Sequence, residues 1–464
     1  MPDQPYEPTP DHPLIRALVT EAPAGWERID AVFALTVTAQ HAVVVHSDGR
    51  QVLSSQPSET VLELAREHRR QHAGPGGPWW RMLLTLTGSG EPEVEYDYGE
   101  DPFPESQLFP PEAYRADLEA FPRSEVPVWL GAYIGHGDRQ RRGAQQAAAQ
   151  VRADRDKRVW PTLVENEFPP LPILWARWAT ISAAFVAARS EWGPRILPWT
   201  GVFEGAARAG STLYTLPHGR AVLSGGVWDA PELDAAYNHG APIPDLYAGA
   251  PGWVCDETLN TRAGMGLLSF CYWWDGGRWY RGESPSSIQC ATALPGVWTA
   301  DIVRDLVVGL AGGGGFAAHA EKAAALVSAA EAGVVTRTAL EDVFTGDHDI
   351  DGAFHQYELA GLASTRPEPI PAEQAISFVR DYITGRGLNT AGYPLTRLTA
   401  ERFSVGWMVY VPVAEGEMAI DRAVFYVSDD GTLEHSTSST SPAAAVAEQE
   451  RAFTERHGPA VLDP

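Results

Sequence analysis

The stretch WWRMLLTLTGSGEPEVEYDY, residues 79–98, decides how the first part of the chain is read. An apolar run, Met82-Leu-Leu-Thr-Leu86, ends in Gly88-Ser-Gly90. After the glycines, Val94, Tyr96 and Tyr98 alternate with Glu93, Glu95 and Asp97. Alternation with period two is the mark of a half-buried strand, and a Gly-rich break between two such runs predicts a β-hairpin. Successive side chains of a strand point to opposite faces, so Glu91, Glu93 and Glu95 share one face, opposite Val94, Tyr96 and Tyr98.

Upstream of the hairpin, HPLIRALVTEAP (12–23) reads as a helix, and RIDAVFALTVTA and HAVVVHSDGRQV as strands, with Ser47-Asp-Gly49 as a turn. SETVLELAREHRRQH (58–72) predicts a helix capped by Ser58, with Val61, Leu62, Leu64 and Ala65 on one face. Downstream, PPEAYRADLEAFPR and VPVWLGAYI close a domain spanning 12–134. Residues 1–11 are Pro-rich and polar and predict a disordered tail.

Beyond this domain, 135–159 is locally basic and rich in Ala and Gln, as in a solvated helical linker. Residues 160–311 hold most of the 16 tryptophans, and Asp275-Gly-Gly277 between two aromatic runs predicts a hairpin. Tyr272, Trp273, Trp274, Trp279 and Tyr280 fit either cross-strand sheet pairs or a ring-binding platform. Gly312–Gly315 predicts a flexible boundary. A helical section at 316–364 and a Pro-rich joint lead to a last domain, 372–458, of helix, strands and a terminal helix begun by Ser441-Pro442. The expected fold class is α+β and multidomain. Small antiparallel sheets pack with helices, and a helical section precedes the last domain.

Composition bounds the function. The chain has 464 residues, enough for several domains. Its net charge is -25, from 60 acidic and 35 basic residues. Such a field repels nucleic acid and anionic membranes and speeds association with basic proteins; it also serves solubility alone. Cys255, Cys271 and Cys290 form neither a disulfide framework nor a zinc motif. The opening residues lack the basic and apolar segments of an export signal, and the most apolar segment, LPILWARWATISAAFVAA, carries Arg177. The expectation is a cytoplasmic protein. No nucleophile-elbow serine, phosphate-cradling lysine loop or paired zinc histidines occur, so the expectation is a chain without catalysis. The alternatives are a hydrolase with its pocket in the Trp-rich region and a scaffold stabilised by calcium.

Calcium enters through Asp347-His-Asp-Ile-Asp-Gly-Ala-Phe-His-Gln-Tyr-Glu358, which matches the spacing of an EF-hand loop. Asp347, Asp349 and Asp351 would turn carboxylates inward, Ala353 would offer its carbonyl, and Glu358 would close the shell. Such a stretch equally forms an acidic helix connection that binds nothing. Calcium is the one cofactor the sequence offers, and none is required.

The first domain, in the residues of its hairpin and in PPEAYRADLEAFPR with VPVWLGAY, resembles the YezG-type immunity family. The last domain resembles the YrhB-type immunity family in its opening helix (Ala375–Ile383), VGWMVYV (Val405–Val411) and AVFYVSDDGTLE (Ala423–Glu434). These resemblances imply α+β antitoxins that bind and block the toxin domains of secreted bacterial toxins, often nucleases. They imply no catalytic residue. The expected contact surface is the acidic, aromatic hairpin: Glu91, Glu93, Glu95, Asp97, Glu100 and Asp101, with Trp80, Tyr96 and Tyr98 anchoring or supporting it.

Overall fold

A computed structural model of the chain describes residues 9–74, 76–88, 91–205, 207–312, 316–364, 367–413, 422–437 and 440–457, with residues 316–318 described in their backbone alone. The tail expected at 1–11 thus lies mainly outside the described residues, as do 313–315 of the glycine boundary and Thr365-Arg366 of the Pro-rich joint. The fold is α+β, with three antiparallel sheets among the described residues.

In the N-terminal region α1 (Pro13–Glu21) precedes β1 (Arg28–Leu35), β2 (Gln40–Ser47) and β3 (Val52–Ser55). Then come α2 (Glu59–Gln71), β4 (Arg81–Thr87) and β5 (Glu93–Asp97). Ser58 caps α2 as expected, its hydroxyl accepting from the Val61 N–H at 3.3 Å. The sheet runs β3-β2-β1-β4-β5, so the predicted hairpin forms and leaves β5 at an edge. Its tip, Ser89-Gly90, lies outside the described residues. One face carries Ile29, Ala31, Phe33, Val44, Met82, Leu84 and Leu86, which pack on Leu14, Ile15 and Leu18 of α1 and Val61 and Ala65 of α2. Each large side chain so buried stabilises by about 1.5–3 kcal/mol, and this makes the apolar helix faces and the sheet one core.

After β5 the chain forms α3 (Pro111–Ala120), α4 (Val128–Gly135) and α5 (Ala144–Lys157). Trp80, Phe103, Tyr114, Trp129 and Leu130 make a second, aromatic cluster, which Trp228 and Leu267 join. Gly99 makes the turn leaving β5 at φ +85°, where a Cβ would also crowd Phe103 and Trp80.

The element order continues through β6 (Thr162–Val164), α6 (Leu171–Ala187), β7 (Arg195–Leu197), β8 (Thr200–Glu204), β9 (Gly210–Leu216), β10 (Arg220–Gly226) and α7 (Pro231–Asn238). Next come β11 (Phe270–Asp275), β12 (Arg278–Arg281), α8 (Ala300–Ala311), α9 (Phe316–Glu331), α10 (Arg337–Val343) and α11 (Ile350–Ala360). The chain closes with α12 (Ala372–Gly385), β13 (Thr399–Phe403), β14 (Gly406–Tyr410), β15 (Ala423–Ser428), β16 (Leu433–Thr437) and α13 (Pro442–His457).

Two compact units divide these elements: residues 1–168 with 203–294, and 169–202 with 295–464. This corrects the contiguous Trp-rich domain expected at 160–311, whose segments 169–202 and 295–311 fall in the second unit. The expected solvated linker at 135–159 is corrected too. Ala147 of α5 is buried in the core under β10 and β11 with Val222, Leu268 and Trp273, and the buried Asp154 accepts the Gly249 N–H at 2.9 Å. Within the first unit the second sheet runs β6-β12-β11-β10-β9, and the Asp275-Gly-Gly277 hairpin joins β11 to β12 as read from the sequence.

In the second unit α6 is buried along most of its length, and its one charge, Arg177, pairs with Glu331 of α9 at 2.7 Å. The β7–β8 hairpin meets α11 through the Ile196 N–H, which donates to Gln356 Oε1 at 2.7 Å. The last sheet runs β13-β14-β15-β16, with Val409, Phe425 and Val427 packed on Ala375, Val379 and Ile383 of α12. Among the described residues no helix is long and apolar enough to cross a membrane.

Candidate binding surface

The outer face of the first sheet follows from its register. Val32 lies opposite Val43 on one side and Leu83 on the other, and Leu83 lies opposite Glu95. The neighbouring row is Val45, Asp30, Thr85 and Glu93. These residues alternate with those of the α1–α2 core, so they face away from it. Val32, Val43, Val45 and Leu83 are only half-buried and belong to neither the α1–α2 core nor the aromatic cluster. At one end the same face is closed. Ala34 is buried, and Arg81 bonds Asp97 at 2.6 Å and Gln107 at 2.7 Å while lying over the Phe103 ring. The other end therefore presents a short aliphatic stripe bordered by carboxylates.

The expected acidic residues sort into two groups. Asp97 is tied to Arg81, Asp101 pairs with Arg208 at 3.0 Å, and Glu100 accepts the Tyr98 N–H at 3.1 Å. Glu91, Glu93 and Glu95 are exposed, and their side chains make no hydrogen bond or ion pair among the described residues, though Glu93 adds to Asp30 in raising the Arg28 guanidinium. Asp30 is held below the usual carboxylate range by the Arg28 fork, with Thr85 donating a further bond at 2.8 Å. Asp30 is thus ionised at neutral pH.

The aromatic residues take different roles from an exposed anchor. Trp80 is 1% exposed, and its indole N–H bonds the buried carboxylate of Asp117 at 3.0 Å, so it supports the sheet from inside. Tyr96 turns inward, its hydroxyl 2.8 Å from His68 Nε2 and its ring stacked near Trp79. Tyr98 is half-buried against the α1–α2 core. The four aliphatic residues of the open face were not singled out from the sequence. DAVFAL and HAVVV read as continuous apolar runs, which suit strands covered on both faces.

The 347–358 stretch does not keep an open loop. Asp349 caps α11, accepting the Gly352 N–H at 2.9 Å, and the helix starts at Ile350. Asp351 pairs with Arg337 at 2.6 Å, Glu358 with His355 at 3.0 Å, and Asp347 with Arg189 at 3.3 Å. Ala353 lies inside the helix and is fully buried. The four carboxylates expected around one ion instead point to separate partners, and no cluster of three or more acidic, His or Cys side chains suited to a metal occurs among the described residues.

In the Trp-rich sheet, Trp274 opposes Trp279 with ring centres 5.3 Å apart, and Trp273 stacks on Tyr280. Trp273 and Trp279 are buried, which makes them sheet pairs rather than an open platform. The three thiols are buried and unpaired. Burial pushes Cys255 up to about 11 and Cys290 up to about 12, and Cys271 well above the usual thiol range, so none is a ready nucleophile. No protein-family model matches the chain, and a search of curated proteins returns no significant match.

Proposed function

We propose that the chain is a non-enzymatic binding protein of the immunity type, which neutralises a basic partner, a toxin domain, by holding it against the open face and acidic edge of the first sheet. One observation supports it above the rest. The second face of the sheet carries the half-buried stripe Val32, Val43, Val45 and Leu83, rimmed by the exposed carboxylates of Glu93 and Glu95 on the edge strand and of Glu91 just before it. An apolar centre with a charged rim is the anatomy of a protein interface, and the rim gives speed and selectivity toward a basic surface. A basic nuclease cleft fits this rim, because the carboxylates stand where phosphates would. The net charge of -25 disfavours nucleic acid or an anionic membrane as the direct partner. The proposed compartment is the cytoplasm, where three unpaired thiols persist.

The test is co-expression with a basic toxin domain, taken from the coding neighbourhood of this chain where that neighbourhood holds one. The wild type should protect and co-purify with the toxin. Glu93→Lys with Glu95→Lys should bind it at least tenfold more weakly and lose most of the salt dependence. Equal protection and equal binding by the double variant, at low and high salt, would overturn the proposal.

A further inference from the structure

A cavity of about 500 Å3 opens between the β1–β2 turn (Leu35–Gln40), the C-terminal half of α2 and Phe121 just beyond α3. Its charged lining consists of Arg66, Arg69 and Arg70, with no carboxylate among the lining residues. In a chain of net charge -25 this is an inversion of the local sign. The spacing i, i+3, i+4 brings the three guanidiniums to one side of α2.

Arg69 is fixed in advance. It is 4% exposed, its Nε donates to the Trp79 carbonyl at 2.7 Å, and its Nη2 donates to Asp117 Oδ2 at 2.7 Å. Asp117 is fully buried and also accepts from Trp80 Nε1 and the Val37 N–H. A second guanidinium, Arg123, stacks 3.5 Å over the Trp80 ring and feels the same carboxylate. Arg69 and Arg123 both lie near the buried Asp117, and Glu100 acts on Arg123 as well. Arg66 pairs with Glu59 and also donates from Nε and Nη2 to Gln40 Oε1 at 3.1 and 2.6 Å, and Arg70 pairs with Glu67; the two glutamate side chains are 65% and 53% exposed. Surface ion pairs of that kind are weak, and a better anion displaces them.

We propose that this cavity is a binding site for a small phosphate-bearing molecule, with Arg66 and Arg70 closing on the dianion over the preset Arg69. Planar guanidinium forks match phosphate oxygens in pairs, and three of them suit a doubly charged group better than a single carboxylate. The volume is that of a small-ligand site. Leu35 and Phe121 give an apolar wall for an organic portion, and the exposed Thr38 brings a hydroxyl to the lip. The site uses none of the carboxylates of the β5 edge, so it stands or falls separately from the partner surface.

Calorimetric titration of the full chain tests it, with inorganic phosphate, AMP and malonate as probes at matched ionic strength. Saturable binding of phosphate is expected, with AMP tighter if the ligand is organic and equal or weaker if it is the free ion. Arg66→Gln with Arg70→Gln should weaken that binding at least tenfold while the ligand-free melting temperature stays unchanged. Glu67→Gln, which frees Arg70, should tighten it. No saturable binding of phosphate or AMP, binding unaffected by the double variant, or malonate binding as tightly as phosphate would each overturn the proposal.

Discussion

Asp117 shows how much one side chain can decide. Its carboxylate has no exposure and joins α3 to Arg69 of α2, to Trp80 ahead of β4 and to Val37 of the β1–β2 turn. Asp117→Ala would leave a buried guanidinium without its counter-charge, which costs about 3–5 kcal/mol. Glu59→Ala, which breaks an exposed pair with Arg66, should cost no more than about 1 kcal/mol. Thermal melts of the two variants check the contrast, and similar losses would contradict it. His68 carries a pH signature. Burial first, then the nearby charges of His72 and His12, holds its pKa down to about 3 from an ordinary value of 6.5. Below pH 6.5 the unfolded chain takes up this proton and the folded chain does not. The stability linked to His68 is therefore present above that pH and lost as pH falls toward 3, by up to about 1.4 kcal/mol per pH unit. His68→Phe should flatten this acid limb in melts between pH 6.5 and 4, and an unchanged slope would contradict the assignment.

β5 works with two faces. Tyr96 points into the histidine cluster and anchors the strand, while Glu93 and Glu95 point out beside Leu83 and Thr85. Leu83→Asp should therefore weaken partner binding with little change in melting temperature. Val94→Asp, one residue over on the core side, should lower the melting temperature by burying a charge. The reverse pattern would put the partner on the other face. This hairpin was legible because an apolar run and a run of period-two alternation flank the glycines, and α2 was legible through its Ser58 cap. The open face was not, since a half-exposed valine has the same sequence pattern as a covered one. The 347–358 stretch shows the converse limit. Its spacing fits an ion loop, yet Asp349 is used as a helix cap and Ile350–Ala360 becomes α11. Asp349→Ala should cost about 0.5–2 kcal/mol, equally with and without added calcium. Calcium that stabilises the wild type alone would contradict this.

At the scale of the molecule, the α+β class and most elements were readable from local pattern, but the division into units was not. The second unit takes up 169–202 and 295–464, so its core depends on pairs remote in sequence, such as Arg177 with Glu331 and Ile196 with Gln356. No local periodicity records such pairings. The charge of -25 is legible at a glance, whereas its distribution is not. Exposed glutamates stand on β5, and arginines line the cavity beside α2. The proposed docking place for a basic protein is the β5 edge, because its carboxylates border the open aliphatic face of the sheet. Hydrogen exchange of the complex with the proposed basic toxin domain tests that claim most directly. Slowed exchange should concentrate in residues 28–33, 43–47, 81–87 and 93–97, with Glu93→Lys and Glu95→Lys together abolishing it. Protection confined to other parts of the chain, with these strands unchanged, would contradict it.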